Sequence, residues 1–218
     1  MIVETPGYLD LLDWRRSVAD LYSEVRRLRG TDPVAAHTHW RAGRDALYGT
    51  HPQSAFPPAG RARFGGLRYH DYDPAFAFVA PLRALPEERF DVGTSAGGVI
   101  PFVRCGAVDL PAGSLEVFWL DAYGGGVFVP FRDGTSGDTT YGGGRYLLDT
   151  AKGADLGRTA QGALVLDFNF AYHPSCHYDP MWVCPLAPPS NRLAARIEAG
   201  ERSYPGGSDA PASWCGPD

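Results

Sequence analysis

The segment Phe131-Arg-Asp-Gly-Thr-Ser-Gly-Asp-Thr-Thr-Tyr-Gly-Gly-Gly-Arg-Tyr-Leu147, entered through Val127-Phe-Val-Pro130, decides the fold. Two short apolar runs flank a glycine-rich centre, which is the pattern of antiparallel strands joined by a turn. An ordinary hairpin needs one or two special turn residues. This one carries two acids, two arginines, two tyrosines, several hydroxyls and five glycines. A second polar-in-apolar segment, Leu164-Val-Leu-Asp-Phe-Asn-Phe-Ala-Tyr172, follows it. Together they point to a buried polar site.

Outward from the hairpin the same short period recurs. Phe76-Ala-Phe-Val-Ala80, Val99-Ile-Pro-Phe-Val103, Leu115-Glu-Val-Phe-Trp-Leu120, Arg145-Tyr-Leu-Leu148 and Ala163 to Phe168 are β-rich runs separated by turn residues. Pro130, inside its run, marks an edge or a bulge. Before Arg63 the period is helical. Leu11, Trp14, Val18, Leu21, Val25 and Leu28 recur at spacings of three and four and form one apolar stripe from Tyr8 to Leu28. Gly30 can end that helix, and Thr31-Asp32-Pro33 supplies a cap and a first-turn proline for a second one reaching about Tyr48. The expected fold is mainly β: an antiparallel β-barrel or β-sandwich preceded by two N-terminal α-helices. Residues 1–50 form the helical pair, 51–203 the antiparallel β domain and 204–218 a flexible tail.

The chain's 218 residues suffice for a core without disulfide staples, since roughly 70% of the unfolded surface is buried at this size. A net charge of −5 argues against general nucleic-acid binding, which needs basic surface to neutralise phosphates. The first helix does hold Arg15, Arg16, Arg26, Arg27 and Arg29, but Asp10, Asp13, Asp20 and Glu24 alternate with them, as on a solvated face. No apolar run approaches the roughly 18 residues of a membrane helix. The start of the chain has no basic, apolar signal, so the expected location is cytoplasmic. Lys152 is the sole lysine, a bias that reads as GC-rich coding. Four cysteines are too few for a disulfide scaffold.

The candidate chemistry follows from alternation. On a strand from Ala163 to Ala171, Asp167 and Asn169 share a largely apolar face. A buried carboxylate needs donors, and Arg145, on a face with Tyr141 and Leu147, is the candidate partner. That pair either closes one end of a barrel or contacts a ligand. In the catalytic reading Asp167 is a general base, with Tyr141 and Asn169 donating hydrogen bonds to developing charge. Arg145, Asp133, Tyr172 and Glu116 are the candidate substrate-binding residues. Asp133 alternatively caps its turn, and Glu116 alternatively sits at the rim. Gly142-Gly-Gly144 allows close approach of a ligand or of another strand. No cofactor is expected. Tetrahedral zinc on Cys176, Cys184, His173 and His177 is the alternative, though the pair spacing of strong zinc motifs is missing. A Cys–His nucleophile pair built on Cys176, packed thiols, and a Cys176–Cys184 disulfide also remain open. His37 and His39 lie on different faces of the second helix and read as surface histidines.

These segments resemble an uncharacterised bacterial and archaeal family, domain of unknown function 1684. The resemblance rests on Phe131 to Leu147 and on Asp167-Phe-Asn-Phe-Ala-Tyr-His-Pro-Ser-Cys176. It extends through Cys184-Pro-Leu-Ala-Pro-Pro-Ser-Asn-Arg-Leu193 and Ile197-Glu-Ala-Gly-Glu201, and weakly to Trp40-Arg41, Arg44-Asp45 and Phe64-Gly-Gly-Leu67. It implies no known activity. In the family pattern the position of His173 is usually asparagine and that of His177 usually small, so a metal or Cys–His site on them would belong to this branch alone. The matching polar set is Asp133, Thr135, Thr140, Tyr141, Arg145, Asp167, Asn169, Tyr172 and Cys176. The functional expectation is a small-molecule enzyme of unspecified reaction, acting on a small organic anion in a β-barrel pocket. The alternative is a non-catalytic small-molecule binding barrel.

Overall fold

The computed structural model describes residues 7–205 and 207, so most of the expected tail lies outside the described residues. Helix α1 spans Tyr8–Arg29 and α2 spans Pro33–Thr50. Asp32 caps α2 as its sequence implies, accepting the Ala35 N–H at 2.9 Å ahead of the first-turn proline. A one-turn helix α3, Pro58–Arg61, leads into the strands β1 Arg68–Tyr69, β2 Ala77–Ala80, β3 Glu88–Gly93, β4 Val99–Leu110, β5 Gly113–Leu120, β6 Val127–Phe131, β7 Arg145–Asp149, β8 Leu164–Asp167 and β9 Glu201–Arg202.

Strands β3 to β7 form an antiparallel meander in chain order. β2 pairs with β8, and β1 with β9, in two separate ribbons. Among the described residues the edge strands β3 and β7 do not pair with each other, so no barrel closes and the arrangement is sandwich-like. Helix and strand occupy similar shares of the chain. Pro130 sits at a register shift between β6 and β7, within the sheet and not on its edge. It lacks the N–H an inner strand would need, and the bulge absorbs that loss.

Strand alternation gives the sheet two apolar faces. On one, Phe102, Phe118, Phe128 and Tyr146 run across the strands with ring centroids 4.6 to 5.6 Å apart. Such ring pairs contribute about 1 kcal/mol each beyond burial. Leu21, Tyr22 and Val25 of α1 and Trp40 of α2 cover this face. The Trp40 indole N–H, fully buried, donates to the Tyr22 hydroxyl at 3.0 Å. On the other face Leu115, Val117, Val129 and Phe131 meet Leu166 of β8, Phe168 of the turn after it, and Leu193 and Ile197 from the chain's last crossing. Covered on both sides, β7 is buried at every position.

The glycine run of the hairpin is explained here. Gly144 has φ +95°, and a Cβ on it would stand 2.4 Å from the Phe131 carbonyl oxygen. The close approach is to the neighbouring strand, not to a ligand.

His37 departs from the sequence reading. It is only 2% exposed, with its ring 5.8 Å from Trp40 and 5.5 Å from Phe170. Burial, aided by Arg41 and opposed by the Asn169 backbone and by Asp71, pushes its pKa down to about 4. A histidine held low in this way keeps the fold stable above its unfolded value of 6.5, and that stability is lost as pH falls towards 4 because the unfolded chain takes up the proton first. The variant His37→Phe should remove about 2 kcal/mol of the acid loss in urea-unfolding free energy across that window. A variant whose stability falls as steeply as the parent's contradicts this.

Candidate functional site

A mixed polar and apolar recess lies between the helical layer and the sheet. A cavity of about 220 Å³ is bounded by Leu11, Trp14, Val18 and Leu21 of α1, by Arg44 and Tyr48 of α2, and by Lys152, Tyr172, Ser175, Trp182 and Cys184 of the β domain. The first half of the α1 stripe therefore faces empty space instead of the sheet, which is why Leu11 stays 37% exposed while Val25 is fully buried. Val183, also in the wall and 59% exposed, stands with Leu11 at the mouth.

Lys152 is set by local sequence. Strand β7 ends at Asp149, whose carboxylate accepts the Lys152 N–H at 3.2 Å and caps a single 3-10 turn, Thr150–Lys152. Gly153, at φ +78°, then turns the chain away. Lys152 is exposed, and its side chain lines the cavity. Among the described residues its ammonium makes no hydrogen bond and no ion pair within 4 Å; the Tyr146 ring lies 5.8 Å away. Desolvation works against the charge, but Asp149, with Cys184 and Tyr48, outweighs it and holds the pKa above the ordinary lysine value.

Arg44 is held differently. Its guanidinium pairs with Glu201 at 2.7 Å, donates to the Tyr69 hydroxyl at 3.1 Å and faces the rings of Trp40, Tyr48 and Tyr172 at 4.8 to 5.0 Å. Glu201, 1% exposed, also accepts from the Tyr178 hydroxyl and from the His173 N–H at 2.9 Å. Among the described residues Arg15 completes the basic residues of the wall, and no carboxylate lines it. A positive, carboxylate-free lining inside a chain of net charge −5 favours an anion.

Cys184 borders the same space. Ser95 fixes its segment, accepting the Cys184 N–H at 3.1 Å and donating to the Trp182 carbonyl at 3.0 Å. The Cys176 N–H lies 3.4 Å from the Cys184 sulfur, and both cysteines are free thiols. The disulfide left open by the sequence is therefore not formed. His173 and His177 lie behind them with ring centroids 4.5 Å apart. Their Nε2 atoms accept the N–H groups of Tyr141, at 3.2 Å, and Tyr204, at 3.1 Å. Those lone pairs are the ones zinc would take. Among the described residues no group of three or more His, Cys, Asp or Glu side chains is placed to hold a metal.

The other sequence candidates scatter. Of Asp133, Tyr141, Arg145, Asp167, Asn169, Tyr172 and Glu116, only Tyr172 lines the cavity; its hydroxyl donates to Asp149 at 3.1 Å. Arg145 and Asp167 do not pair. β8 stops at Asp167, which caps a 3-10 turn by accepting the Asn169 N–H at 3.1 Å, so the alternation assumed through Ala171 breaks there. Asp167 meets Arg29 of α1 at 3.3 Å and the Asn169 amide at 2.8 Å. Burial raises its pKa against those partners. Arg145 is fully buried, donating to the carbonyls of Ile197, at 2.9 Å, and Ala199, and facing Asp133 at 3.4 Å. Asp133 accepts the N–H groups of Thr135, at 3.2 Å, and Ile197, at 2.7 Å, which is the capping role. Tyr141, buried, contacts the Cys176 thiol at 3.8 Å. Glu116 sits at the rim with Arg104 at 3.1 Å and Ser190 at 2.9 Å.

A family model described as protein of unknown function, DUF1684, matches residues 62–202. The chain belongs to that family. Among solved structures it is similar to the solution NMR structure of an uncharacterized protein from gene locus rrnAC0354 of Haloarcula marismortui, at 36% identity. That match covers 74% of this chain and 89% of the other, with a TM-score of 0.52. No curated protein matches the chain. Within the DUF1684 segment lie Lys152, Tyr172, Ser175 and Cys184, whereas Trp14, Arg44 and Tyr48 come from the helices outside it.

Sequence reasoning missed Lys152, Arg44 and Cys184 as a group. The signal for Lys152 was present: the chain's sole lysine follows a strand inside an Asp-x-x-Lys-Gly turn. Arg145, by contrast, is a structural lock of the DUF1684 core. Arg145→Ala leaves the Asp133 carboxylate buried without its cation and should cost about 3–5 kcal/mol in denaturant unfolding. An unfolding free energy within about 1 kcal/mol of the parent's rules out that role.

Proposed function

We propose that this DUF1684 chain binds a small organic anion in the cavity beneath α1, its anionic group at Lys152 and its apolar body against Trp14, Val18, Leu21 and Leu47. One observation carries the reading: among the described residues the Lys152 ammonium has no hydrogen-bonding partner and no carboxylate lines its cavity. A cation on a concave, mostly apolar wall attracts an anion more strongly than one on an open surface, because the walls focus its field. The tyrosine hydroxyls and Ser175 supply the few orienting polar groups of an otherwise apolar small-molecule site. The volume, about 220 Å³, lies below the range of drug-sized ligands and suits a compact carboxylate or phosphate ester. The site lies between helices and sheet, so the ligand is not expected in a barrel lumen. An enzyme acting on this anion and a binding protein for it share the recognition, and the thiols beside Lys152 favour chemistry.

Trp14 and Trp182 in the wall report occupancy by fluorescence. In a titration with aromatic and branched aliphatic carboxylates, at least one should quench the parent protein. The matching neutral amide should bind about tenfold or more weakly, and Lys152→Gln should lose a similar factor for the carboxylate. Equal affinity for acid and amide, or an unchanged affinity in Lys152→Gln, removes the proposal.

A further inference from the structure

Cys176 and Cys184 are eight residues apart and meet at the wall of this cavity. Cys184 borders the space; Cys176 is packed behind it, and each is at most 2% exposed. The Cys184 sulfur receives the Cys176 N–H at 3.4 Å, and the Tyr141 hydroxyl lies 3.8 Å from the Cys176 sulfur. One sulfur thus lines a ligand space that a lysine also lines, and the second is packed behind it against Tyr141. A single thiol would suffice for acyl transfer. A second thiol packed against the first is what converts a sulfenic acid to a disulfide.

We propose that Cys184 and Cys176 form a cavity-facing dithiol that reduces hydroperoxides, with Cys184 as attacking and Cys176 as resolving sulfur. This rests on the cavity being the ligand site and adds a substrate class, an organic hydroperoxide bearing an anionic group. The Cys184 thiolate attacks the terminal oxygen of R–O–O–H. The O–O bond breaks, the alkoxide leaves and takes a proton to become R–OH, and Cys184 becomes a sulfenic acid. The Cys176 sulfur then attacks Cys184. The S–O bond breaks, hydroxide leaves with the Cys176 proton as water, and a disulfide forms. A dithiol reductant returns both cysteines to thiols, itself becoming a disulfide.

The electrostatics agree with this division of roles. A hydrogen bond from the Cys176 thiol lowers the Cys184 pKa against the effect of burial, and Lys152 with the N–H groups of Cys176 and Ser175 lowers it further. The Cys176 pKa is raised by the same hydrogen bond and by burial. Cys105, elsewhere on the sheet, is raised by burial and by Glu87.

The test uses the reduced full chain and hydrogen peroxide. Peptide mapping after equimolar peroxide should find a Cys176–Cys184 disulfide in the unsubstituted protein, a result that needs no variant to fold. In Cys176→Ser the oxidation should stop at a Cys184 sulfenic acid captured by dimedone, and Cys184→Ser should consume peroxide at least about tenfold more slowly. Oxidation at Cys105 or Cys215 with Cys184 left reduced overturns the proposal, as does Cys176→Ser without a dimedone adduct at Cys184. Hydrogen peroxide carries no anionic group, so a negative result here leaves the anion site standing. A failed carboxylate titration likewise leaves the thiol reaction standing.

Discussion

The arrangement depends on one buried ion pair, Arg44 with Glu201. Neither side chain reaches bulk water, and removing one partner of such a pair costs about 3–5 kcal/mol because the other is left charged in a poor solvent. The pair is tolerated because its remaining hydrogen-bonding positions are filled by Tyr69, Tyr178 and the His173 backbone, while three aromatic rings face the guanidinium. Its effect is positional. Arg44 belongs to α2 and Glu201 to the last strand, so this contact fixes the helical layer at a set height above the sheet, and the cavity is the space that height leaves open.

How much of this was readable in sequence depended on the range of the interaction. Local rules worked: the Leu11-to-Leu28 stripe gave α1, Asp32 and Pro33 gave the start of α2, and Pro130 gave the bulge. Asp133 as a turn cap was also a local inference, made from its own neighbours. Failures came where a partner lay far away in sequence. Arg145 was assigned to Asp167 because both lie on apolar strands, yet β8 ends at Asp167 and pairs with β2, not β7. Asp167 meets Arg29 across 138 residues, and Arg145 finds carbonyls more than 50 residues away. No periodicity encodes such pairings.

Lys152 shows a different kind of blindness. Its rarity was explained by composition, and that explanation, though reasonable for the missing lysines, said nothing about the one retained. The overloaded hairpin erred the other way. Its acids, hydroxyls and glycines are consumed by backbone capping and by close strand approach, so a segment with much chemistry in its letters has little left for a ligand. The residues facing the cavity come instead from quieter sequence on either side.

The two halves of the cavity wall fall on either side of the start of the family segment. The lysine and the thiols sit in the shared DUF1684 segment, while Trp14, Arg44 and Tyr48 are contributed by helices that precede it. A wall divided this way lets descent act on the two halves separately. Relatives that keep the floor but carry a different helical cover would enclose a space of another size and shape, so variation in this cavity should be sought in the first fifty or so residues, not in the signature motifs.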